Sequence, residues 1–169
     1  GSMSLFVGNG QPLVLGTQQN TLTLTGNRFD PTRAEVSFSG QGEITSALEG
    51  GSLGGILAFR DDVLTPARNQ LGLLANQLAA TFNDQHAQGT DLRGDAGGDL
   101  FSIAAIEPQA SSANTGNAAI AVTATNTFAL TGDAYVLSQT DTGWQLRNTA
   151  SKQVVNLTGD GSAANPLSA

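Results

Sequence analysis

GGSLGGILAFRDDVLTPARNQLGLLANQLAATFNDQHAQG, Gly50–Gly89, carries the pattern that decides the architecture. Leu57, Leu64, Leu71 and Leu78 recur every seven residues. Ala67 and Leu74 fall on the intermediate positions, and Ala75 and Phe82 widen the stripe. Apolar residues at this spacing line one face of a helix. The pattern predicts a helical zone from about Leu53 to Ala87, with Gly89 as its stop signal. Thr65-Pro66 reads as an N-cap followed by Pro at the first helical position, so either a kink at Thr65 or two successive helices is expected. Gly72 costs the helix about 1 kcal/mol relative to Ala.

The start of this zone raises a chemical question. Gly50-Gly51-Ser52-Leu53-Gly54 satisfies G-x-S-x-G, the pattern of a hydrolase nucleophile elbow. The only histidine, His86, lies at the far end of the same zone, and a straight helix would separate it from Ser52 by about 50 Å. The elbow also belongs to a parallel α/β sheet, and no alternating βαβ pattern is present. The glycines instead read as a sharp strand-to-helix junction. Gly51, Ser52 and Gly54 are the helix-start residues, with Ser52 as the expected N-cap. A nucleotide-binding loop would need Gly-Lys-Ser/Thr, and Ile56-Leu57 stands in that neighbourhood.

On either side the periodicity is that of strands. Phe6-Val7 and Leu13-Val14 flank an Asn9-Gly10 hairpin signal, and Pro12 weakens the second arm or makes it an edge. Thr21–Thr25 and Ala34–Phe38 alternate as half-buried strands do. After the connector GTDLRGDAGGDLF, Gly89–Phe101, strand character is read from about Ser102 to Leu157. Ile120 and Val122 alternate there, as do Tyr135 and Leu137, Trp144 and Leu146, and Val155 and Leu157. The expected fold class is α+β: a β-hairpin or meander segment, a long helix with its irregularity near Pro66, then a small antiparallel β domain. Residues 1–3, Gly-Ser-Met, read as a tag scar. Residues 4–101 form the β segment and helix, and residues 102–169 a β domain. That meander is thin and unclosed, as in a segment cut from a larger protein.

Composition narrows the function classes. The chain has 169 residues, 12% charged, with seven Lys and Arg, fourteen Asp and Glu and a net charge of −7. The few basic residues are scattered, which argues against nucleic acid and against an anionic membrane surface as partners. Cysteine is absent, so disulfide and thiolate chemistry are excluded. Asp91, Asp95 and Asp99 share a Gly-rich loop, but a spacing of four fits neither an EF-hand loop nor a calcium-binding nonapeptide repeat, and no metal is expected. Arg60-Asp61-Asp62 reads as a solvated ion-pair cluster on the polar face.

The stretch from Gly50 to Phe101 resembles the helical segment of the flagellar hook-associated protein 1 family, the hook–filament junction proteins. The resemblance rests on the double glycines with Leu53, Phe59-Arg60-Asp61, Leu74-Ala75, Leu78-Ala79, and Phe82-Asn83 with His86. It extends to Gly89 with Asp91-Leu92, Gly94 with Gly97, and Phe101. NGQPLVLG, Asn9–Gly16, is similar to the β segment before this helix in the family. ALTGDAYVLSQTDTGWQLRN, Ala129–Asn148, is similar to the start of its outer β domain.

The resemblance implies a structural subunit without catalytic residues or cofactor, exported unfolded through the flagellar secretion apparatus and placed outside the cell. It implies the hook protein, a second junction protein and copies of itself as partners, with an export chaperone acting on parts outside this sequence. The family's long N- and C-terminal axial helices are missing from this sequence. The face formed by Leu57, Leu64, Leu71, Leu74, Leu78 and Phe82 would then pack against them. The alternative from a different class is a non-enzymatic, adhesin-like surface β module. Such a module has no need of a lengthy unpartnered leucine stripe.

Overall fold

A computed structural model describes residues 3–168. Gly1 and Ser2 of the expected tag scar therefore lie outside the described residues. Contacts divide the chain into two units that interleave along the sequence. One holds Gly1–Thr65 with Ser102–Thr125, the other Pro66–Phe101 with Asn126–Ala169.

In the first unit, β1 (Ser4–Val7), β2 (Gln11–Leu15) and β3 (Gln18–Gln19) form an antiparallel sheet in that order. The Asn9-Gly10 hairpin is present, with Gly8 and Gly10 at positive φ. Pro12 sits in the middle strand rather than at an edge, and two features accommodate it. The register shifts between Leu5 and Phe6, opposite Pro12, and the short β3 reaches only Val14 and Leu15. The Asn20 side-chain amide donates to the Pro12 carbonyl at 2.7 Å.

A second hairpin pairs β4 (Leu22–Gly26) with β5 (Ala34–Phe38), from Leu22 opposite Phe38 to Gly26 opposite Ala34. A short 3₁₀ turn, Thr45–Ala47, lies along the outer side of β5: the Ile44 N–H donates to the Val36 carbonyl and the Val36 N–H to Thr45 Oγ1, both at 2.8 Å. Val36, Phe38, Ile44 and Leu48 form the buried apolar cluster, and Val7, Leu13 and Leu57 pack against it. Alternation in β5 predicts one wet face, yet Glu35 and Ser37 on the other face are buried as well.

The helical zone runs without interruption through α1 (Gly51–Ala58), a π-helical stretch (Phe59–Leu64) and α2 (Thr65–Ala87). Its N-cap is Gly50, not Ser52. Gly50 has φ +80° and offers no capping side chain, so the backbone alone makes the turn. Gly54 is buried against the chain before the helix, where a Cβ would stand 3.0 Å from the Leu48 carbonyl oxygen. Gly50 and Gly51 therefore serve the turn through positive φ and Gly54 a close backbone approach, and Ser52 is an exposed first-turn residue. Nor does Thr65 cap a new helix, because its backbone is α-helical. Pro66 has no N–H to give to the carbonyl four residues back, and its ring crowds that carbonyl. The chain answers with a wider turn, in which the Thr65 N–H reaches the Arg60 carbonyl five residues back.

Residues 102–125 differ most from expectation. They contain an isolated bridge between Ile106 and Val122 but no named strand, and Ile103, Ile106, Ile120 and Val122 are exposed. The stretch is mostly Ala, Ser, Asn, Gly and Thr, which have little apolar surface to bury. It is tied to the first unit where the Ser112 N–H donates to the Arg28 carbonyl at 2.7 Å.

In the second unit, β6 (Tyr135–Thr140), β7 (Gly143–Asn148) and β8 (Val154–Asn156) form the expected meander. Its first turn is Asp141-Thr142. Its second is organised by the buried Asn148, whose Oδ1 accepts from the N–H groups of Ala150 and Ser151. Beyond β8, Thr158 and Ser168 pair through both backbone bonds, so the segment after the meander folds back on itself.

With only four buried apolar residues in the first unit's cluster, each matters. Phe38→Ala should lower stability by about 3–5 kcal/mol, the usual cost of emptying a buried aromatic site. Urea unfolding followed by far-UV circular dichroism tests this, and a loss below about 1 kcal/mol would mean that Phe38 is not a core residue.

Candidate functional site

Two features of the helical zone stand out: how its first part is fastened and what its second part leaves bare. The fastening centres on Glu35, whose side chain is 2% exposed. Arg33 Nε donates to Glu35 Oε1 at 2.7 Å and Asn27 Nδ2 to the same oxygen at 3.1 Å. Arg60, on the π-helical stretch, donates to Glu35 Oε2 at 3.3 Å and to the Ala34 carbonyl at 2.8 Å. Asp61 closes the ring, accepting from Arg60 Nε at 2.7 Å and from Arg33 at 3.0 Å.

Burial pushes the Glu35 carboxyl up. Hydrogen bonds from Asn27, Thr45 and Arg33, with the Arg33 charge, outweigh it and hold the group below its ordinary value. Asp61 is lowered chiefly by its hydrogen bond from Arg60, and Arg60 is raised chiefly by the same bond. Arg60 and Asp61 are thus an ion pair with an exposed carboxylate, as expected, but Arg60 also turns inward to Glu35. They are the helix's attachment to the β4–β5 hairpin. Their adjacency was the available signal, but the partner is 25 residues away in sequence and an alternating strand gave no sign that Glu35 is covered.

The leucine stripe divides at the π-helical stretch. Leu57 is half-buried and packs on the apolar cluster of the first unit, so it does not belong to an open face. The π-helical stretch breaks the α-helical phase that would otherwise keep Leu57 in line with Leu64. From there the stripe is bare: Leu64, Leu71, Leu74 and Leu78 are 43%, 68%, 61% and 55% exposed, and Phe82 is 49%. Ile56, Phe59 and Val63, upstream, are exposed too.

Behind Phe82 the connector closes onto the end of α2. The buried Asn83 accepts the N–H groups of Leu100 and Phe101 at 2.9 Å each and donates to the Phe101 carbonyl at 2.8 Å. The Phe82 and Phe101 rings stand 5.8 Å apart, tilted by 59°. His86 Nδ1 lies 2.6 Å from the Gly98 carbonyl oxygen, and a Cβ on Gly97 would meet His86. Sequence reading gave Asn83 no role, although it is the residue that docks the connector. Asp91 spends Oδ1 on the N–H groups of Arg93 and Asp95, as a turn-former does. Among the described residues no group of three His, Cys, Asp or Glu side chains is placed to hold a metal ion, and no helix is long and apolar enough to cross a membrane.

A family model, the flagellar hook-associated protein FlgK helical domain, matches residues 1–101. Flagellar hook-associated protein 1 of Escherichia coli K12 is 36% identical over 165 residues, which cover 95% of this chain and 30% of that protein. The protein of the same name in Salmonella typhimurium LT2 is 34% identical over 167 residues, again 95% of this chain and 30% of the relative. Among solved structures, the flagellar hook junction protein FlgK from Burkholderia pseudomallei matches with a TM-score of 0.76 and 34% identity. That match covers 90% of this chain and 30% of the other. The chain thus spans about a third of the length of the relatives it matches.

The bare stripe predicts an unusual tolerance. Leu71→Asp in this chain should change its stability by no more than about 0.5 kcal/mol, as at an ordinary surface position. Leu48→Asp, which buries a charge in the apolar cluster, should prevent folding of the first unit. Thermal unfolding of the two variants beside the parent decides. A loss above about 2 kcal/mol from Leu71→Asp would mean that the stripe is packed within this chain.

Proposed function

We propose a structural role for this chain, which belongs to the FlgK family of flagellar hook-associated proteins: it forms part of the subunit that joins hook to filament. The single observation that carries the reading is the exposed face from Leu64 to Phe82. A buried leucine contributes roughly 1.5–3 kcal/mol by leaving water. Leaving Leu71, Leu74 and Leu78 bare is intelligible when the rest of a longer polypeptide covers them. Helices elsewhere in the parent protein pack on this face and build the helical domain, of which residues 4–101 are a part. Residues 102–169 begin an outer β domain. Leu57 contributes from the other side, by seating the helix on the apolar cluster of its own unit.

The role is mechanical and needs neither catalytic residue nor cofactor. His86, the one histidine that a hydrolase could use, is engaged by the Gly98 carbonyl. The partners are the other axial proteins of the flagellum, hook protein and second junction protein, and further copies of the same subunit. A chaperone for export acts on segments outside this sequence. The place of work is outside the cell, reached through the flagellar secretion apparatus.

The test is made in the full-length parent. Leu71→Asp sets a charge in the middle of the face, where a packed interior cannot accept it unpaired. Cells carrying it should keep their hooks and lose their filaments, as seen by electron microscopy of the surface appendages. Asn76→Asp, at an exposed polar position of the same helix, should leave both intact. Normal filaments on Leu71→Asp cells would refute a packing role for the face.

A further inference from the structure

We propose that the charge ring around Glu35 is an acid-released latch that fastens the π-helical stretch to the β4–β5 hairpin. Four observations place it there. Glu35 is the most deeply buried titratable side chain of those described, at 2% exposure. Its two oxygens face different elements: Oε1 takes Arg33 and Asn27 from the hairpin side, and Oε2 takes Arg60 from the helix. The charged and titratable groups facing it are Arg33, Arg60 and, through them, Asp61; Thr45 approaches from the 3₁₀ turn. Apolar packing holds α1 through Leu57, whereas the named polar contacts of the π-helical stretch run through Arg60 and Asp61.

The chemistry follows from the carboxylate. Ionised, it accepts from Arg33 and Asn27 on one side and from Arg60 on the other, and neutralises charge on two guanidiniums that are themselves partly buried. Protonated, it loses the charge that holds Arg60 and Arg33 together. The two cations then face each other with only Asp61 between them, and because they are only partly exposed, their repulsion is incompletely screened by water. The pH direction is fixed by the folded group lying below its ordinary value of 4.5. The latch is complete above that value and is lost as pH falls through the lower folded value. The wide turn imposed by Pro66 makes the release local, because helical bonds there are already displaced from the α pattern.

Hydrogen exchange followed residue by residue, between about pH 5 and about pH 3 and corrected for intrinsic exchange, reads the latch directly. The amides of 59–64 should lose protection by about tenfold or more in acid, as the loss of charge-assisted hydrogen bonds implies. The amides of β6, β7 and β8 serve as the reference and should hold. Glu35→Gln keeps an acceptor of the same shape, and it should exchange in 59–64 at neutral pH as the parent does in acid, with most of the acid response gone. If Glu35→Gln does not fold, Arg60→Gln serves: it removes the helix side alone and leaves Glu35 with Arg33 and Asn27. It should free 59–64 at neutral pH while β5 stays protected. An unchanged acid response in either variant would overturn the latch, and so would loss of protection in the meander in step with 59–64, which is global acid unfolding.

Discussion

A carboxylate cannot be taken out of water unpaired, and the first unit is organised around one that has been. Glu35 sits on the face of β5 opposite its apolar neighbours Val36 and Phe38. A two-stranded hairpin is marginal by itself, because one of its faces always remains wet. Here Phe38, Ile44 and Leu48 cover one side, while Arg33, Arg60 and Asn27 close over the other. Breaking a buried ion pair typically costs about 3–5 kcal/mol, far more than the net gain from making it. The ring is therefore better understood as specifying where the helix sits than as a source of stability. Arg60 adds a bond to the Ala34 carbonyl, which fixes position along the strand as well as distance from it.

The helix is shaped to reach that ring. Pro66 cannot supply an N–H, and the preceding turn widens so that the Thr65 N–H bonds the Arg60 carbonyl. The wide turn carries Arg60 and Asp61 together: Arg60 meets Glu35, Asp61 meets Arg33, and the two meet each other. Upstream, Gly50 makes the turn with its positive φ and Gly54 lets the backbone pass close to Leu48 and Glu49, which puts Leu57 onto the apolar cluster within two turns of the helix start. Residues that look like separate motifs in the sequence thus solve one problem, the docking of a helix onto a thin hairpin.

How much of this was legible depended on whether the cause was local. The Asn9-Gly10 hairpin, the β4 and β5 strands, the helix over its length and the meander are written in turn chemistry and periodicity, which act between near neighbours. So are the glycine-shaped start of the helix and its stop at Gly89. Burial of Glu35 was invisible, because its cover comes from residue 60 and an alternating strand reads its polar positions as solvent-facing. The π-helical stretch was half visible: Pro66 announced an irregularity, but a helix has more than one answer to a proline. Ser52 lost its capping role to Gly50 because a backbone at φ +80° makes the turn without a side chain. Residues 102–125 were read as strand from Ile120 and Val122 alone, in a stretch poor in large apolar residues where pairing goes no further than the isolated bridge between Ile106 and Val122.

The leucine repeat illustrates how a single local defect reassigns a global pattern. Read as an unbroken heptad, Leu57, Leu64, Leu71 and Leu78 share one face and one fate. The π-helical stretch lies between the first and the second, and it separates them: Leu57 packs inside its own unit and the others stay bare. Nothing in the heptad spacing itself changes, since the residues remain seven apart; what changes is the number of residues the backbone uses to complete one turn. A helix with an even pitch would have offered the same face throughout, either buried on the β segment or open along its length. The irregular one does both in sequence, anchored by Leu57, Arg60 and Asp61 and presenting Leu71, Leu74 and Leu78. The helix is thus held by its own chain at one end and bare at the other, and one local change of pitch separates the two.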